Sequence, residues 1–87
     1  QSPWKDRTYT LTLRIPEDSD RRSWIDRMYH GDLHGEIDRE IKASWENNPD
    51  DQPDEVAYRA VRTALRRWLH IRQLPHDSLA IESFALN

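Results

Sequence analysis

The amino-acid sequence predicts an α+β fold that is mostly α: an N-terminal β-strand, three helices, and a C-terminal stretch that is either a second strand or a buried tail. Three observations predict it. Residues 8–16 (Thr-Tyr-Thr-Leu-Thr-Leu-Arg-Ile-Pro) alternate strictly between polar and apolar, the mark of a strand with two different faces. Residues 24–29, 33–45 and 57–69 carry apolar side chains at helical spacing instead. Gly31, the segment 47–53 and the segment 74–77 punctuate these stretches with turn-forming residues.

In the strand, Tyr9, Leu11, Leu13 and Ile15 point one way and Thr8, Thr10, Thr12 and Arg14 the other. A lone strand satisfies neither its main-chain groups nor its apolar row, so its partner must come from a second copy of the chain or from the far C-terminus. After Pro16, capping side chains in 17–20 precede a short helix marked by Trp24, Ile25, Met28 and Tyr29, and Gly31 ends it as the residue best suited to a left-handed conformation. Asp32 suits the N-cap of a second helix with Leu33, Ile37, Ile41 and Ser44 on one face and Trp45 at its edge. The acidic segment 47–53 (Asn-Asn-Pro-Asp-Asp-Gln-Pro) is a linker. Asp54 or Asp51 caps a third helix running to about residue 73, with Ala57, Ala60, Val61, Ala64, Leu65, Trp68 and Leu69 in its apolar stripe and Arg59, Arg62 and Arg66 opposite. Residues 74–77 break that helix, and 79–86 is apolar with poor alternation.

Size and charge bound the function. Eighty-seven residues make one compact unit with a modest core, so oligomerisation is expected. Mean hydropathy is −1.03, yet four tryptophans supply large buried areas. The chain has no cysteine for a disulfide and no apolar run long enough to span a membrane, which points to the cytoplasm, and it starts at Gln1 as though a tag or leader had been removed. The net charge of −3 is unevenly spread: residues 1–15 carry +2 and 56–87 carry +3, whereas 31–55 carry −7. A polyanion would therefore meet the strand or the last helix.

A strand ending in Leu-Arg-Ile-Pro, followed by two helices joined through His30-Gly31-Asp32-Leu33-His34-Gly35-Glu36-Ile37, resembles the ribbon-helix-helix family of Arc and Mnt repressors over about half the chain. The resemblance implies a ribbon-helix-helix domain over 1–46 and an obligate homodimer whose two strands pair across a two-fold axis. Thr10, Thr12 and Arg14 would then face the major groove of double-stranded DNA, residue types suited to base edges. Lys5 and Arg7 would be phosphate contacts beside them. Mnt-like members add a C-terminal helix that joins dimers into tetramers. Residues 54–87 could play that part or bind a protein partner, with Arg59, Arg62, Arg66 and Trp68 as the surface and an acidic protein as one candidate partner.

No cofactor or metal set stands out, and no nucleophile-base pair or glycine-rich phosphate loop marks an enzyme. The leading expectation is a dimeric DNA-binding transcriptional regulator, of which a repressor acting as an antitoxin is one version. The rival is a small acidic protein-interaction module, an inhibitor or complex subunit, in which 79–86 pairs with 8–15 inside one chain and no DNA is bound.

Overall fold

The computed structural model describes residues 6–87. Its elements are β1 (Tyr9–Arg14), α1 (Arg21–His30), α2 (Leu33–Asn47), α3 (Pro53–Ile71) and β2 (Ala80–Leu86). β1 pairs antiparallel with β2 of the same chain, Tyr9 opposite Leu86 and Leu11 opposite Phe84. Between Thr12 and Leu13 the register slips, because Thr12 faces Ser83 but Leu13 faces Ile81, leaving Glu82 as an extra residue in β2. This bulge explains the poor alternation of 79–86: one inserted residue separates Ile81 from Phe84 and Leu86 without removing any of them from the inner row.

α1 starts at Asp20, whose carboxylate accepts from the Arg22 and Ser23 amides at 3.0 and 3.4 Å. Of its four apolar positions only Trp24 is buried and Met28 half-buried; Ile25 and Tyr29 are 49 % and 80 % exposed. The helix therefore presents a second apolar strip to its surroundings, beside the strip that joins the core.

The α1–α2 turn departs from expectation. Gly31 has φ −85°, and Asp32 takes the left-handed conformation at φ 52°. Aspartate tolerates that region because its short carboxylate bonds locally: it accepts from the Gly35 amide at 3.3 Å and pairs with Arg39. Glycine is needed at 31 for room. A Cβ there would lie 2.6 Å from Arg72 Nη2, 2.8 Å from Trp68 Cζ2 and 2.9 Å from the Arg27 carbonyl.

α2 buries Leu33, Ile37, Ile41 and Trp45, a row at every fourth residue, and the Trp45 Nε1–H donates to the Pro53 carbonyl at 2.9 Å. α3 begins without an aspartate cap. Gln52 stands at the N-cap with no side-chain bond and Pro53 occupies the first turn, where its fixed φ and missing N–H suit a helix start. The Asp54 carboxylate accepts instead from the next amide, of Glu55. The helix ends at Ile71, two residues short of 73, because Gln73 turns left-handed (φ 57°). The Gln73 and Leu74 amides bond back to the His70 and Leu69 carbonyls, each at 3.0 Å. Glutamine in that conformation costs about 1 kcal/mol.

One core holds all five elements. Trp24, the α2 row, eight residues of α3 and Leu79 form a single buried cluster, and the inner row of both strands packs on it half-buried. The expected linker 47–53 is shorter in the structure: residues 48–52 connect α2 to α3, with Asn47 and Pro53 inside the two helices. Residues 6–46 and 54–87 share this core, and the strand of the first pairs with the strand of the second.

Candidate functional site

Among the described residues β1 has a partner on one edge only. Antiparallel ladders use the main-chain groups of alternate residues, and the Thr8 carbonyl accepts from the Asn87 amide at 2.9 Å on the β2 side. The N–H and C=O groups of Tyr9, Leu11 and Leu13 therefore face the other edge. Along that edge lies a groove of about 490 Å³ lined by β1 (Tyr9, Thr10, Leu11, Leu13), α1 (Met28, Tyr29) and α2 (Leu33, His34, Ile37). Its walls are mainly apolar, and Tyr29 stands at its rim with its ring edge-on to His30 at 5.4 Å.

The Tyr9 hydroxyl is buried without a hydrogen-bond partner. Burial pushes its pKa up from the ordinary tyrosine value, and the nearby Asp38 carboxylate adds to this. A raised pKa means that the folded state holds the proton longer than the unfolded chain. The corresponding stability is present below the ordinary tyrosine pKa of about 10 and is lost as pH rises past it. Urea melts across the alkaline range should show the parent losing stability more steeply above that pH than Tyr9→Phe. At neutral pH the phenylalanine variant should be more stable by about 1 kcal/mol, since a buried unpaired hydroxyl is removed.

Thr10, Thr12 and Arg14 are all exposed on the outer face of the ribbon, turned away from the core. Asn87 Nδ2 donates to the Thr8 and Thr10 hydroxyls at 3.2 and 3.5 Å. Arg7 Nε donates to the Asn87 carbonyl at 2.7 Å, so this guanidinium binds the chain's own main chain just past β2. Lys5 lies outside the described residues.

Trp68, expected on a partner surface, is instead 1 % exposed in the core. Its Nε1–H donates to the Gly31 carbonyl at 3.0 Å and the Arg72 guanidinium lies 4.1 Å from its ring centre. The apolar stripe that contains it is the inner face of α3, already covered by α2. The three arginines opposite that stripe separate. Arg59 reaches Asp51 at 3.9 Å, whereas Arg62 and Arg66 line a second groove with Tyr58, His76 and Asp77. Acidic α2 is largely answered by cations: Glu40 pairs with Arg67 at 2.8 Å, Asp38 with Lys42 at 3.0 Å, and Asp32 and Glu36 with Arg39 at 3.3 and 3.7 Å.

The sequence reading did not single out His34 and His76 as groove residues. No local signal marks either, because each reaches its groove through the packing of other elements. Tyr29 had a signal, its i, i+4 relation to Ile25, but that spacing served only to mark a helix.

These features define a small α+β domain, a helical hairpin backed by a two-stranded ribbon. Compared with known proteins, the chain matches no family model, no curated protein and no solved structure. Among the described residues no helix is long and apolar enough to cross a membrane.

Proposed function

We propose that this chain is a non-catalytic binding module that works as a homodimer, two copies joining through the open edges of β1. The observation that supports this reading is the half-covered strand: β1 offers unpaired main-chain groups on the same side as an apolar groove. β1 is its own suitable occupant. With Thr12 on a two-fold axis, Leu11 of one copy faces Leu13 of the other, Tyr9 faces Ile15, and both inner rows turn toward the grooves. Thr10 then faces Arg14, so no like charges oppose each other. The rival expectation shares the observed pairing of β1 with β2, but its acidic binding surface draws less support, since Asp32, Glu36, Asp38 and Glu40 already have cationic partners.

Sedimentation equilibrium at rising micromolar concentration tests the dimer, together with hydrogen exchange of the Tyr9, Leu11 and Leu13 amides. The expected result is a dimer mass with those three amides protected. Thr12→Lys, at an exposed position, should leave the fold intact but place two cations face to face on the axis and yield monomers. A parent that stays monomeric with fast exchange at those amides would sink the proposal.

A second reading is favoured by one observation, the exposure of Thr10, Thr12 and Arg14 on one face, which self-pairing would double. In this reading the joined sheet faces duplex DNA. Titration against a random duplex pool separates the two, since a reader enriches a sequence and loses the preference with Arg14→Ala, whereas a protein-binding module enriches none.

A further inference from the structure

The outer face of α3 carries Tyr58, Arg62 and Arg66 at every fourth residue, so the three side chains lie one above another on one strip. The turn after the helix brings His76 and Asp77 beside them, and together they line a groove of about 360 Å³ that also reaches Leu65, Leu79 and Ile81. The other arginines of this region are engaged: Arg59 with Asp51, Arg67 with Glu40, and Arg72 with the Gly31 and Trp68 carbonyls. Among the described residues Arg62 and Arg66 have no ion-pair or hydrogen-bond partner, and both border the same cavity. Both are exposed, so their guanidinium groups are open to solvent at the groove.

We propose that this groove docks an acidic segment of a partner protein, with carboxylates on Arg62 and Arg66 and apolar side chains against Tyr58 and Ile81. Two guanidinium groups one helical turn apart match carboxylates spaced along a peptide, and each can be held bidentately. Tyr58, 41 % exposed, and half-buried Ile81 give this mainly polar groove a small apolar patch, which a peptide covers and a bare phosphate leaves unused. Asp77 on the rim works in the same direction, because it opposes a compact dianion more than carboxylates spread along a chain. The partner is thus recognised by charge complementarity with the +3 C-terminal segment of a chain whose net charge is −3. This site is independent of the β1 edge.

The test is a titration of the full chain, followed by NMR signals of the arginine Nε–H groups and the His76 ring. The probe is a blocked octapeptide alternating glutamate and leucine; the controls are its lysine-leucine counterpart and inorganic phosphate. Saturable shifts confined to Arg62, Arg66 and His76 are expected with the acidic peptide alone. Arg62→Gln with Arg66→Gln should weaken binding by about tenfold or more, as the loss of two charge-assisted contacts implies, while Arg59→Gln changes it little. Three results would overturn the proposal: no saturation with the acidic peptide, equal loss in the Arg59 variant, or phosphate titrating the same signals while the peptide does not. Sedimentation of the same samples reports the β1 dimer separately, so failure of either proposal is visible without the other.

Discussion

Trp68→Ala is expected to destabilise the fold by about 4 kcal/mol, the usual cost of deleting a buried tryptophan from a packed core. Several losses contribute. The indole is 1 % exposed, so alanine leaves a large cavity between α3 and its neighbours. The Nε1–H bond to the Gly31 carbonyl at 3.0 Å disappears, and with it the direct tie between α3 and the α1–α2 turn. Arg72 loses the ring it lies over at 4.1 Å. A chain of this length has a total stability of roughly 4–13 kcal/mol, so the variant loses between about a third and all of it. Urea denaturation followed by tryptophan fluorescence and circular dichroism measures the difference. A midpoint equal to that of the parent would show that the indole is outside the core.

Gly31→Ala should cost about 2–3 kcal/mol, which for a domain of this size lowers the melting temperature by roughly 10–20 °C. The backbone at 31 is in a region open to any residue, so conformational strain contributes nothing. Space is the whole reason. The new methyl would sit 2.8 Å from the Trp68 ring and 2.9 Å from the Arg27 carbonyl, and neither moves without disturbing the core or the end of α1. Arg72, at 2.6 Å, is the flexible neighbour and can swing away. The double variant Gly31→Ala with Arg72→Ala should therefore recover little of the loss. A full recovery would mean that the guanidinium, and not the indole, occupies the space. Thermal unfolding of the single and double variants decides between them.

The local chemistry of the chain determined its elements. Strict alternation over 8–16 specifies a strand because side chains there have a period of two, and the apolar spacings in the middle specify three helices because theirs is 3.6. Asp32, and a cap within 17–20 that proves to be Asp20, were legible because the capping bond is made within three residues. What depends on distant partners was not legible. The sequence left β1 a choice between a second copy and the C-terminus, and only the tertiary structure pairs it with β2, through a bulge at Glu82 that hides the alternation of 79–86. Arg59, Arg62 and Arg66 look alike on a helical wheel, and only packing against the linker and the turn after α3 gives the first an acid and leaves the other two beside a groove. Trp68 shows the same division: its helical spacing marked it as apolar, but whether that stripe is core or docking surface is settled by α2 lying against it, a contact between elements whose energy no local pattern encodes.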